Sequence, residues 1–224
     1  MLILAHRGLW RQPAEKNGLV ALRSALAEGF GVETDIRDHA GELVISHDPP
    51  SANALPLADL LNACQQMASQ GTLALNIKAD GLQQPLADAL ARHRITPDRY
   101  FVFDMSVPDA LGYLRLGMPC FTRQSEIEPK PAFLDQASGI WLDCFREDWI
   151  NEGVILDHCA AGRAVALVSP ELHGRDMRPA WEVWRNAYRN VRRQGQSHRI
   201  MICTDRPREA REYFLDAADR SDSF

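Results

Sequence analysis

Two carboxylates stand two residues apart at the end of a short apolar run: Glu33 and Asp35, within Phe30-Gly-Val-Glu-Thr-Asp35. A strand alternates its side chains, so both acids face the same way, roughly 7 Å apart at Cα. Without a counter-charge two such acids repel and one pKa rises. The chain then turns at Gly41, enters a β-rich run over 43–46, and delivers His47-Asp48 just before Pro49-Pro50. The first apolar run, residues 2–5, ends as abruptly in His6-Arg7-Gly8. Acids, histidines and an arginine at strand ends are costly to bury for packing alone. They read as a site, with Glu33 and Asp35 as metal ligands and His6 and His47 as acid and base near neutral pH. Carboxylate oxygens with no cysteine nearby favour Mg²⁺ or Ca²⁺ over zinc. Arg7 and Lys78 supply positive charge for an anionic substrate, Arg7 with the fork that suits a phosphate. The plainer alternative for these cations is pairing with Glu33, Glu15 or Asp35, which is compatible with binding.

Each of these residues needs an element to aim it. Strands are expected over 2–5, 31–36, 72–77, 100–103, 118–122, 139–142, 164–168 and 200–203. Several are near-continuous apolar runs, the pattern of parallel strands covered on both faces. Helical periodicity fills residues 18–28, 57–70, 82–94, 107–116, about 146–161, 179–193 and 208–218, with Gly29, Gly117 and Gly162 as stops. Eight strands in strict alternation with about eight helices predict an α/β fold, a (β/α)8 TIM barrel, as one compact domain over 1–224 with few insertions. The rival open sheet lacks its Gly-x-Gly-x-x-Gly after strand one. Barrel enzymes keep their chemistry at the carboxyl ends of the strands. Here those ends read His6-Arg7, Glu33 and Asp35, Asn76 and Lys78, Asp104, Asp143, Ser169 and Glu171, and Thr204-Asp205.

Composition narrows the function classes. A net charge of −5 argues against a nucleic-acid binder. No run approaches the roughly 20 apolar residues of a membrane span, so no stable membrane insertion is expected. Five apolar residues before His6 do not make a signal h-region. The five cysteines are scattered and never form Cys-x-x-Cys, which reads as reduced, buried thiols in a cytoplasmic protein. His39, His93, His158, His173 and His198 read as turn, surface or helix-end residues. The aromatic face of 181–193 is expected to pack inward on the barrel, with a membrane-surface helix as its rival.

Taken together, the residues resemble the glycerophosphodiester phosphodiesterase family. The likeness rests on Ala5-His-Arg-Gly8, Glu33-Thr-Asp35, His47-Asp48-Pro49, Lys78 and Thr204-Asp205-Arg-Pro207, in that order along nearly the whole chain. It implies a barrel, a cation held by Glu33 and Asp35, an acid/base pair of His6 and His47, and a phosphate on Arg7. Glu15 matches the glutamate of the family's Glu-Asn-Thr motif, but the stretch here is Glu15-Lys-Asn17. Where the family has a third acidic ligand two residues before the lysine, this chain has Asn76, an amide that ligates without charge. Glu171, ending strand seven, is the residue expected to restore a carboxylate. The insertion many members carry after strand three is missing, which predicts an open pocket.

The expected reaction is metal-dependent hydrolysis of a glycerophosphodiester to a phosphomonoester and an alcohol, on a small-molecule substrate. Two other readings stay open. One is a metal-dependent lyase or hydrolase on another small anion; the other is a barrel that binds phosphodiesters or headgroups without turnover. The oligomeric state is not legible.

Overall fold

Eight parallel strands follow one another around a ring in the computed structural model, which describes residues 1–67, 69–195 and 200–215. They are β1 (Leu2–His6), β2 (Gly31–His39), β5 (Leu73–Ile77), β6 (Tyr100–Phe103), β7 (Phe121–Gln124), β8 (Gly139–Leu142), β9 (Ala164–Val168) and β10 (Ile200–Thr204). Parallel ladders join β1 to β2, β2 to β5, β5 to β6, β7 to β8, β8 to β9, β9 to β10 and β10 back to β1. The remaining seam, β6 to β7, is carried by one parallel bridge between Val102 and Cys120. The fold is the TIM barrel that the alternation of strands and helices predicts. Two further strands, β3 (Glu42–Ile45) and β4 (Leu55–Pro56), extend the far end of β2 as an antiparallel ribbon. That ribbon turns at Ala40-Gly41, both at positive φ, as a tight hairpin demands.

The helices are α1 (Leu19–Ala27), α2 (Leu57–Gln66), α3 (Gln83–Arg92), α4 (Val107–Arg115), α5 (Glu152–Ala160), α6 (Arg178–Arg193) and α7 (Pro207–Phe214). Three expectations need correction. The fifth unit has no α-helix between β7 and β8, because Pro129 and Pro131 remove backbone donors and clash with a helical turn. Its strand lies at 121–124 rather than 118–122, since Met118 N–H still closes on Tyr113 O at the end of α4. The helix expected from 146 begins at Glu152, where the Asn151 side chain accepts from Val154 N–H at 3.1 Å and caps it. For the last helix, residues 216–218 lie outside the described residues, as does His198.

Strand parity sorts the core into two layers. Odd–even alternation sends Val32, Ile36, Leu73, Leu75 and Val102 outward onto α1–α4, and Ile140, Leu142, Val165 and Ile202 outward onto α5–α7. The opposite faces fill the barrel with Leu4, Ala74, Phe101, Phe121, Trp141, Ala166 and Met201. Phe101 stacks on Phe121 at 3.8 Å and Phe103 on Trp141 at 4.0 Å between ring centroids. Trp181, Trp184, Tyr188 and Val191 of α6 are buried against the barrel wall. All five cysteines are free and buried, and none of the described helices is long and apolar enough to cross a membrane. The aromatic floor leaves one polar layer above it, at the carboxyl ends of the strands.

Candidate active site

The inward parity that places Leu4 in the floor places His6 directly above it, and the same rule lifts Glu33 and Asp35 of β2 and Asn76 of β5 into that layer. Glu33 and Asp35 are 2 % and 0 % exposed. Their backbones are pinned on both sides: Arg7 N–H donates to Glu33 O at 2.9 Å, and β2 pairs Asp35 with Asn76. Lys78 N–H reaches Ile36 O at 2.9 Å and so begins the loop beside β2.

Side-chain contacts then link the layer. His6 Nδ1 bonds Asp205 Oδ1 at 2.6 Å, while its Nε2 stands 3.8 Å from Glu33 Oε2. Arg7 Nε lies 2.9 Å from Asp35 Oδ2, and Lys78 Nζ 3.6 Å from Asp35 Oδ1. Asn76 Nδ2 donates to Glu33 Oε1 at 3.2 Å. Lys78 also approaches Asp104 Oδ2 at 3.9 Å, and Arg123 Nη1 stands 3.3 Å from Asp104 Oδ1. His6, Arg7, Glu33, Asp35, Asn76 and Lys78 thus form one cluster. Six non-glycine residues among those described have positive φ, and three of them, Arg7, Asn17 and Asp104, stand in this layer. Left-handed backbone of this kind costs energy and collects at functional sites.

Three of the residues singled out in the sequence stand elsewhere. His47 is about half exposed, and its ring pairs through Nδ1 with Asp48 Oδ1 at 2.9 Å rather than with a member of the cluster. Glu15 accepts from Arg11 N–H at 2.7 Å and Gln12 N–H at 3.3 Å, and those bonds hold its carboxyl below the usual range. Its neighbours do the reaching instead. Asn17 Nδ2 donates to Asp35 Oδ2 at 2.9 Å while its Oδ1 accepts from Thr34 Oγ1, and Lys16 Nζ meets Asp205 Oδ2 at 3.2 Å. Glu171 brackets the end of β10: Thr204 Oγ1 and Asp205 N–H both donate to Oε1, and Ser169 Oγ to Oε2. These donors stand at the ends of β9 and β10, so the carboxylate expected to supplement Asn76 braces Asp205 in this structure. Sequence reading gave no site role to Asn17 or Arg123, and named Asp143 only as the polar end of a strand. Asn17-Gly18 was the available signal for the first, a pair that favours left-handed turns. His173, expected at the surface, bonds Asp143 Oδ1 through Nε2 at 2.7 Å at the end of β8.

Burial and charge set the electrostatics. Burial above the aromatic floor pushes Glu33 up to about 7; His6 and Arg7 pull the other way, and Asp35 adds to the rise. Burial likewise raises Asp104 against the pull of Arg123 and Lys78. At Asp205 burial also pushes upward, but the His6 bond and the His6 and Lys16 charges outweigh it, so the carboxyl falls below its ordinary range. Four buried oxygens in this layer accept no hydrogen bond: Glu33 Oε2, Asp35 Oδ1, Asn76 Oδ1 and Asp104 Oδ1. His6, Lys78 and Arg123 stand 3.8, 3.6 and 3.3 Å from three of them without a hydrogen bond, and buried acceptors left in that state are unfavourable. An all-oxygen donor set of this kind fits Mg²⁺ or Ca²⁺. Among the described residues no three His, Cys, Asp or Glu side chains close on one point, because Asn76 is an amide and Arg7 and Lys78 already draw on Asp35.

No family model and no curated protein matches the chain. Solved structures do match. A glycerophosphodiester phosphodiesterase from Agrobacterium tumefaciens superposes with a TM-score of 0.64 at 16 % identity, over 96 % of this chain and 98 % of that one. A phosphodiesterase from Oleispira antarctica, in complex with the product sn-glycerol-3-phosphate, gives 0.65 at 15 % identity, over 95 % and 96 %. A Ca²⁺-dependent phosphatidylinositol-specific phospholipase C from Streptomyces antibioticus gives 0.55 at 11 % identity, over 95 % and 96 %. At this identity the likeness establishes the fold.

Proposed function

We propose that this barrel is a divalent-cation-dependent phosphodiester hydrolase that acts on glycerophosphodiester-type substrates. The observation that carries the reading is His6, oriented by Asp205 and facing a layer of buried oxygens that lack donors, with Arg7 and Lys78 beside them. The likeness to solved phosphodiesterases and a phospholipase C supports the same reaction class.

Glu33, Asp35 and the Asn76 amide oxygen are the residues that would hold the cation. When bound, it would neutralise phosphoryl charge; Arg7 and Lys78, which share Asp35 without it, would then face the substrate phosphate. Arg7 offers a planar fork for two phosphate oxygens and Lys78 a point charge, and together they orient the diester. His6 keeps Nδ1 on Asp205, which leaves Nε2 to move the proton. His47, with Nδ1 on Asp48, serves as the partner group at its own Nε2. One ring deprotonates the attacking hydroxyl, from water or a neighbouring substrate alcohol, and the other protonates the leaving oxygen. Each contributes on the order of 10²–10⁴-fold. Glu171 and Glu15 enter as positioning residues, one bracing Asp205 and the other shaping the loop that carries Lys16 and Asn17.

The decisive assay is release of phosphomonoester from glycerophosphodiesters, with Mg²⁺, Ca²⁺ or EDTA, for the wild type and His6→Ala. Cation-dependent turnover lost in the variant is the expected result. The second reading, a binding barrel without turnover, draws on Asn76 donating to Glu33 where an acid would complete the site. It is the one left standing if substrate binds but no cation supports turnover.

A further inference from the structure

The helix missing from the fifth unit leaves a space. A cavity of about 80 Å³ lies between α4 and the segment joining β7 to β8, enough for about three water molecules' share of liquid volume. About half of its lining is apolar, contributed by Val107, Ala110 and Leu114 of α4 on one side, Phe121 of β7 behind, and Phe133 and Ala137 opposite. Glu128 completes the wall, and the Thr122 hydroxyl donates to Ala132 O at 2.8 Å within the lining.

One end of the cavity is polar. Asp104 and Met105, just past β6, and Arg123, near the end of β7, form its rim. Asp104 is the same carboxylate that meets Lys78, and Lys78 meets Asp35, so the rim continues into the candidate active site. Backbone at both ends is held in left-handed conformations that only glycine adopts freely: Asp104 at φ 67° and Phe133 at φ 58°. A charged rim beside a phosphate site, leading into an apolar slot, is complementary to an amphiphile with a phosphate head and a hydrocarbon group.

We propose that the cavity between α4 and the β7–β8 segment receives a short apolar substituent of the phosphodiester, with Arg123 at its entrance as a specificity-determining residue. The inference rests on the phosphodiester reading for its substrate, and it selects among such substrates those whose alcohol carries a hydrocarbon or aromatic group rather than a polar one. Arg123, freed from Asp104, would lie along the phosphate while the substituent passes Met105 into the slot.

The test separates this inference from the reading beneath it. Methyl, butyl and hexyl phosphate are titrated calorimetrically into the full chain, with Mg²⁺ and separately with Ca²⁺, beside the hydrolysis assay. The expected result is affinity that rises about fourfold per methylene over the first few carbons and then levels off. Ala110→Phe fills the slot and should flatten that dependence. Ala137→Leu, from the opposite wall, replaces it if Ala110→Phe shows no cooperative thermal transition. Equal affinity for methyl and hexyl phosphate overturns the inference even if diesters are hydrolysed, and so does a chain-length dependence that survives filling. A chain-length dependence without hydrolysis of any diester supports the cavity and removes the hydrolase. Absence of both removes both.

Discussion

Glu33 holds its proton to about pH 7 because the floor beneath it is aromatic and its neighbour Asp35 is negative. In the unfolded chain the same group titrates at 4.5. Between those values the native state binds a proton that the unfolded chain has released, so stability is full below about 4.5 and is lost as pH rises through 7. In EDTA, denaturant unfolding at pH 5 and pH 8 should therefore differ by on the order of 3 kcal/mol from this group, and Glu33→Gln should remove that component. A pH slope identical in the variant would show that Glu33 is not the buried acid responsible. Glu171→Gln makes a different distinction at the same scale. As a bracket for Asp205 it should leave cation affinity within about twofold while turnover falls by up to about 10²-fold through a misplaced His6. A matching loss of cation affinity would return Glu171 to the ligand set.

At the scale of elements, the loop from β1 to α1 carries three contributors to the site: Arg7, Lys16 and Asn17. It is held against α1 so closely that a Cβ on Gly8 would come within 2.5 Å of Ala21 C and 2.7 Å of Leu22 N, and Gly8 has φ +92° besides. Neither backbone atom can yield. Gly8→Ala should cost about 1–3 kcal/mol of stability through overpacking and the disallowed φ, and should displace Arg7. Thermal unfolding together with KM for the diester reads both effects, and an unchanged KM would mean that the loop relaxes without moving Arg7. The helix-less fifth unit is the other element with functional weight, since Pro129 and Pro131 open the side of the barrel where Arg123 and Asp104 stand.

Across the whole molecule, unpaired acceptors converge at the carboxyl end of the barrel while apolar floor and helices close the rest. A barrel built this way trades stability for a site, and a cation that binds only the native state should restore it. At about 100 times its Kd such an ion adds about 2.7 kcal/mol. Mg²⁺ or Ca²⁺ should raise the melting temperature, EDTA should reverse the rise, and Glu33→Gln should abolish it. A melting temperature indifferent to every divalent ion would leave the four oxygens without an explanation in cation binding.

What the sequence determined by itself is what depends on short-range periodicity. The period of two put Glu33 and Asp35 on one face, and apolar runs ending in His6, Asn76-Ile-Lys78 and Thr204-Asp205 located the carboxyl ends of strands before any strand was paired. The pattern of buried parallel strands implied the barrel. The missing fifth helix was not read in advance, because the alternation of elements was weighed above Pro129 and Pro131. Only the tertiary structure decided which of those residues meet. His6 and Asp205 are 199 positions apart, and no local rule pairs them; ring closure between β1 and β10 does. The same closure turns Glu171 onto Thr204 and Asp205. The fold of one left-handed loop brings Asn17 to Asp35 in place of Glu15. Side-chain period is a property of a few neighbouring residues, whereas partner choice depends on loop path and strand order, which the chain settles only when the barrel shuts.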